Sequence, residues 1–295
     1  MDPHPHPPVG IVDAHHHLWN RARHRQHWID PHTMAAIDAD FEPSDLAPLA
    51  ATAGVTQTVV VQAVSSEAET VDLLRAAADS KLIRGVVGWV DLRTEDLSDR
   101  IDRLRASAGG DRLVGIRHLV QSETDPTFLD QADIRRAIGA VAAAGLVFDL
   151  VIREHQLPAA ARLAAALPQA RFVLDHLGKP PLARGDLREW MRDLSTLAGQ
   201  PNVSAKLSGL ATEANWSSWT PADLRPAVTH ALEVFGPGRL MFGSDWPVCL
   251  LATMYQRWIE TVSELLTPCD EQQRHEIWCG TARRVYRLES EVWSG

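Results

Sequence analysis

Residues 55–90 read VTQTVVVQAVSSEAETVDLLRAAADSKLIRGVVGWV, and the order of signals in them decides the fold. A β-branched run over 55–63 predicts a strand. Ser66, followed three residues later by Glu69, is a capping box that opens the helical stretch ETVDLLRAAADS. A second apolar run over 83–90 predicts the next strand. Both runs are nearly continuous, as expected when helices cover one face of a parallel sheet and packed side chains fill the other.

The same alternation extends in both directions. Candidate strands lie at 11–19, 55–63, 83–90, 113–120, 147–152, 171–176, 203–208 and 240–247. Between them run amphipathic segments: Leu97, Ile101 and Leu104 mark one helical face, and Ile134, Ile138, Val141 and Ala142 mark another. Thr220 with Pro221 starts the helix PADLRPAVTHALEVF, which Gly236 ends. Eight β/α units without a linker or composition break predict a single α/β domain, a (β/α)8 TIM barrel over 11–288, with tails at 1–10 (rich in Pro and His) and 289–295. A doubly wound open sheet is the alternative. No G-x-G-x-x-G and no P-loop pattern follows any strand, which removes the usual nucleotide-binding readings.

The long connection over 20–53 distorts this regular scheme and is expected to fold over the barrel mouth. Its segment at 20–34 carries His24, His27, Trp28 and His32, read either as a lid with a role at the site or as a solvated surface, the second being favoured.

Composition narrows the function. The chain has 295 residues, 45% hydrophobic and 23% charged, which fits a globular domain. Its net charge of −9 has the wrong sign for a nucleic-acid or anionic-membrane partner. The N-terminal MDPHPHPPVG lacks the basic and apolar regions of a signal peptide, so a cytoplasmic location is expected. Cys249, Cys269 and Cys279 lack C-x-x-C spacing and are read as reduced thiols without structural zinc. The sequence gives no oligomeric state and leaves a homodimer open.

In a barrel of this kind the site is built at the C-terminal ends of the strands. The first strand reads I-V-D-A-H-H-H-L-W, and alternation puts His15 and His17 on one face with His16 on the other. The eighth, L-M-F-G-S-D-W-P, places Asp245 beside the first strand, with His15 and His17 as natural partners; capping the following helix is its other reading. The sixth, R-F-V-L-D-H-L-G-K-P-P, puts His176 at its end and aims Lys179 from a loop held by Gly178 and two prolines. The fourth ends G-I-R-H-L-V-Q-S-E, where Arg117 and Gln121 share parity and His118 takes the other face. Ten tryptophans against two tyrosines are the one odd ratio, and Trp19, Trp89, Trp216, Trp219 and Trp246 are candidates for stacking on a ligand or for core packing.

Taken in order, D-A-H-H-H-L-W, G-I-R-H-L-V-Q, L-D-H-L-G-K-P, K-L-S-G-L and F-G-S-D-W-P resemble the amidohydrolase superfamily. The nearest branch is that of the sugar-acid lactonases, typified by L-fuconolactonase and L-rhamnonolactonase, with 2-pyrone-4,6-dicarboxylate lactonase more distant. The resemblance implies that His15 and His17 form the strand-one pair, that His176 is the strand-six histidine and that Asp245 is the general base. It implies substrate-facing roles for Arg117, His118, Gln121 and Lys179, to which Trp89 and Trp246 are added as stacking candidates. The carboxylated Lys of the two-metal members is missing: Arg117–His118 stands at its place. One divalent ion, zinc or manganese, held among His15, His17, His176 and Asp245, or none, is therefore implied. The leading expectation is a hydrolase that opens a sugar-acid lactone, a small-molecule ester. A metal-dependent decarboxylase or hydrolase of a cyclic acid and a catalytically silent sugar-acid binder are the alternatives.

Overall fold

The structure, a computed structural model, describes residues 10–288; the expected terminal tails lie outside these residues except for Gly10. Eight strands form one parallel sheet in sequence order: β1 Ile11–His16, β2 Val55–Val61, β3 Ile83–Gly88, β4 Leu113–His118, β5 Val147–Leu150, β6 Phe172–Leu174, β7 Val203–Leu207 and β8 Leu240–Phe242. Helices α1 Pro43–Ala53, α2 Glu67–Ala78, α3 Leu97–Ala106, α4 Ala132–Ala143, α5 Leu157–Ala166, α6 Arg188–Ala198, α7 Leu210–Glu213, α8 Pro221–Phe235 and α9 Tyr255–Leu265 alternate with them or follow them. Two more, α10 Glu271–His275 and α11 Thr281–Tyr286, end the described chain.

This is the (β/α)8 barrel that the alternating signals predict, nearly closed. Adjacent ladders run from β1 to β8, and the last seam is joined differently. A single parallel bridge links His16 to Trp246, flanked by Asp245 N donating to His15 O at 2.7 Å and His17 N donating to Trp246 O at 2.6 Å. Side chains complete the seam. Asp13 accepts from Ser244 N at 2.8 Å and from the Tyr255 hydroxyl at 3.0 Å, so strand one, the loop after strand eight and α9 meet at one carboxylate.

The ladders are shorter than the apolar runs. Strands expected to reach Ala63, His176 and Pro247 stop at Val61, Leu174 and Phe242; beyond the last two, His176, Leu177 and Asp245 take positive φ. At the opposite end the C-terminal segment seals the barrel: Cys279, Ala282, Tyr286 and Leu288 pack on Val12, Val59, Val87, Val147, Val173 and Met241. An apolar layer therefore fills the bottom of the barrel and leaves polar side chains to the top.

Sequence signals account for the helices. Ser66 caps α2 by accepting from Glu69 N at 3.3 Å. The Glu69 carboxylate does not reach back to Ser66; it accepts from Ala63 N and Val64 N at 3.0 and 3.1 Å and so pins the loop after β2. Thr220 opens α8 with a reciprocal capping box and Gly236 closes it. Among the described residues, no helix is long and apolar enough to cross a membrane.

Candidate active site

At the top of the barrel three imidazoles and one carboxylate turn to a common point. His15 Nε2 lies 3.2 Å from His17 Nε2 and 3.6 Å from Asp245 Oδ1. Asp245 Oδ1 is also 3.4 Å from His17 Nε2 and 3.9 Å from His176 Nε2. All four residues are buried. Alternation explains the pairing in β1: His15 and His17 meet, while His16 turns away to Thr58 Oγ1 at 3.0 Å. Asp13 does not follow them, since the pairing of β1 with β2 shifts register between Asp13 and His16 and its carboxylate serves Ser244 and Tyr255.

Backbone strain sets the other two donors. His176, Leu177 and Lys179 have φ of 54°, 51° and 57°, and Asp245 has 58°, so among the described residues four of the five non-glycine positions in the left-handed region stand at this site. That region costs an L-residue roughly 1–2 kcal/mol, and it persists where the surroundings impose it. Here Lys179 N donates to His176 O at 2.9 Å and Trp190 Nε1 to Leu177 O at 2.9 Å. Gly209, at φ +63°, gives the room: a Cβ there would stand 2.5 Å from His176 Nδ1.

The remaining ring nitrogens fix the rings. His17 Nδ1 donates to the Val61 carbonyl at 2.7 Å, leaving its Nε2 with a lone pair. His176 Nδ1 pairs with Ser208 Oγ at 2.8 Å. His15 Nδ1 faces Lys206 Nζ at 3.1 Å and Asp175 Oδ1 at 3.2 Å.

Electrostatics follow from burial and neighbours. Burial lowers His176 to about 4, and burial pushes His15 well below the usual imidazole range against the pull of Asp175. Burial alone would raise Asp245, but His176, His17 and His15 together hold it well below the usual carboxylate range. The site therefore presents an ionised carboxylate beside two rings, His15 and His176, whose charged forms burial disfavours.

This donor set fits one divalent ion. Metal–nitrogen and metal–oxygen bonds of about 2.0–2.2 Å in a tetrahedron imply donor separations of roughly 3.3–3.6 Å, close to those among His15, His17 and Asp245. Among the described residues, the groups close enough to share an ion are His15, His17 and Asp245, and His15, Asp175 and His176. His15 belongs to both. The three cysteines are free and buried and belong to neither.

His17, His176 and Asp245 open on a cavity of about 360 Å³, while His15 lies outside its lining. Of the predicted substrate-facing residues, Arg117, Gln121 and Lys179 line it. Arg117 is committed, donating from Nη1 to Asp175 Oδ2 at 3.0 Å and from Nη2 to Gln62 O. Lys179 pairs with Glu213 at 3.2 Å. His118 and Trp89 stand outside the lining: His118 bonds Glu123 at 2.6 Å, stacks on Phe128 and accepts from Trp89 Nε1 at 3.4 Å. Trp246 is buried edge-on against Phe41. Trp28 and Trp216 line the cavity, as does Met34, so the 20–34 segment contributes a wall. His24 in that segment pairs with Asp72 at 2.8 Å, while His27 and His32 are exposed.

Lys206, Asp149 and Asp175 received no role from sequence reasoning, although all three are fully buried next to the donors. The signal was present: a charged residue inside VSAKL or FDLVI must find a partner once the strand is buried.

Comparisons with known proteins cover nearly the whole chain. The amidohydrolase family pattern matches residues 12–288. The L-fucono-1,5-lactonase of Burkholderia multivorans is 39% identical over 294 residues, covering 94% of this chain and 96% of the relative. A crystal structure of a Burkholderia multivorans amidohydrolase with bound zinc superposes with a TM-score of 0.90 at 37% identity, covering 95% of this chain and all of that one. A 2-pyrone-4,6-dicarboxylic acid hydrolase from Pseudomonas putida shares the fold, with a TM-score of 0.77 at 22% identity over 96% of this chain and all of that one.

Proposed function

This chain belongs to the amidohydrolase family, and from that premise we propose that it hydrolyses the cyclic ester of a sugar-acid lactone. The observation that carries the reading is the convergence of Asp245 with three imidazole Nε2 atoms, where Asp245, His17 and His176 line a cavity sized for a small ligand. The fuconolactonase relative supports the choice of substrate class.

Attack of water on an ester carbonyl needs a base within reach of the water and positive or N–H groups where the oxyanion forms. Asp245 takes the proton of the water and returns one to the departing ring oxygen. His15, His17, His176 and Asp245 would hold one divalent ion, which when bound supplies Lewis acidity at the carbonyl. Gln121 and Lys179 offer donors to ring hydroxyls from the cavity wall. Arg117, held by Asp175, keeps positive charge beside His15, with Nη1 3.5 Å from His15 Nε2. Trp28 and Trp216 give flat apolar walls against which the sugar face packs. Three buried free cysteines support a reducing, cytoplasmic setting.

A panel of γ- and δ-aldonolactones followed with a pH indicator tests the reading, since each turnover releases an acid. Hydrolysis of lactones above simple amides and phosphate esters is expected; amidase or phosphotriesterase activity without lactonase activity would overturn it. Elemental analysis is expected to find no more than one divalent ion per chain, and two would refute the donor set.

A further inference from the structure

Beneath the four donors lies a charged layer of which the reaction above uses only the hold of Asp175 on Arg117. Lys206, fully buried on β7, places Nζ 2.6 Å from Asp149 Oδ2, 2.9 Å from Asp175 Oδ1 and 3.1 Å from His15 Nδ1. The Tyr286 hydroxyl donates to the same Asp149 oxygen at 2.7 Å.

The contact with His15 restricts the imidazole. An ammonium has three protons and no lone pair, so it bonds Nδ1 only when Nδ1 carries no proton. Asp175 Oδ1, 3.2 Å from the same nitrogen, makes the opposite demand, yet it has no partner in hydrogen-bonding geometry. Lys206 is the aligned partner. A neutral ring with a bare Nδ1 carries its proton on Nε2, where the His17 Nε2 lone pair lies 3.2 Å away. Arg117 Nη1, a donor that asks for a bare Nε2 instead, is at the limit of reach, 3.5 Å away, and is engaged by Asp175 at 3.0 Å, so the shorter Lys206 contact at 3.1 Å decides.

We propose that Lys206 is a positioning residue that acts through His15: it holds the ring in its Nε2–H tautomer when no ion is bound and thereby weakens the site's hold on a divalent ion. Ligation through Nε2 requires the other tautomer. One proton leaves Nε2, one arrives at Nδ1 facing Asp175, and the ring stays neutral throughout. The inference rests on the reading of His15, His17, His176 and Asp245 as the donor set. A lysine that merely supports the site makes the contrary prediction, since its loss would loosen Asp175 and weaken ion binding.

Lys206→Met alone leaves two buried carboxylates sharing Arg117, so the informative variant is Lys206→Met with Asp149→Asn, which keeps the charge balanced and leaves Tyr286 an acceptor. Nitrogen NMR of labelled histidine in chelator-treated protein should show His15 with a bare Nδ1 in the wild type and a protonated Nδ1 in the double variant. Competition with a chromophoric chelator should show the double variant binding zinc more tightly, on the order of tenfold or more, the scale on which groups behind a ligand tune affinity. Protonated Nδ1 in the wild type, or zinc affinity unchanged or weaker in the variant, would overturn the assignment. Failure of the donor-set reading has its own signature: no zinc on either protein while the His15 proton still moves to Nδ1 in the variant, which upholds the tautomer that Lys206 sets but refutes the ion site and with it the effect on ion binding.

Discussion

On the β1–β8 side of the barrel mouth, His15, His17 and Asp245 turn toward one another across a seam without a ladder; on the β4–β7 side, Arg117, Asp149, Asp175 and Lys206 pair tightly within an intact one. Both sides are buried, so the difference lies in how each balances its charges. The second side neutralises itself: Asp175 takes Arg117 at 3.0 Å and Lys206 at 2.9 Å. The first side leaves lone pairs aimed at a shared space. A site that does chemistry needs that openness, and a rigid, charge-paired neighbour is what allows the strained backbone at His176 and Asp245 to persist.

The sharpest way to break the comparison is Asp245→Asn. Asn is nearly isosteric but accepts no proton from water at neutral pH, so kcat should fall by about 10²- to 10⁴-fold while the thermal midpoint stays near wild type. Unchanged turnover would place Asp245 outside the chemistry. On the opposite side, Lys206→Met should act on stability first. Breaking a buried pair by removing one partner costs about 3–5 kcal/mol, to be read as a lower denaturant midpoint at constant slope. A midpoint close to wild type would show that this side is not held by its charges.

A third test concerns the loop between β2 and α2. Burial raises Glu69 to about 7, above its ordinary value near 4.5. The folded chain therefore binds more protons than the unfolded chain between those values, and the contribution is present in full below pH 4.5 and lost as pH rises toward 7. Glu69→Gln should flatten that part of the stability curve; an equally steep curve in the variant would assign the slope elsewhere. The smallest effect is expected at the seam. Tyr255→Phe removes one of the donors to Asp13 and should cost about 1–3 kcal/mol with little change in kcat; a large loss of kcat would mean that the seam positions Asp245 directly.

The sequence was most legible where period decides structure. Continuous apolar runs and capping residues located all eight strands, and the i, i+2 rule brought His15 and His17 together because a strand obliges it. It was least legible beyond the ladders. Little local announces that His176 and Leu177 adopt positive φ in succession, since His visits that region more often than most residues but Leu does not; the Gly209 notch and the Trp190 bond make that turn tolerable. The buried Lys206 layer was hidden for another reason: its partners come from β5, the end of β6 and the C-terminal helix, far apart in the chain. Trp28 shows the same difficulty at the surface, where a loop residue becomes a cavity wall only through the path of the whole segment.

One tether at the site is out of reach of ordinary mutagenesis. The group that fixes the ring of His17 is the main-chain carbonyl of Val61, not a side chain. Every amino acid at position 61 carries that carbonyl, so a saturation library would pass over the contact even if activity depended on it. Its importance is open only to chemistry that edits the backbone itself, such as converting the amide that bears the carbonyl to an ester, whose carbonyl is a weaker acceptor, by unnatural incorporation of a hydroxy acid at position 62.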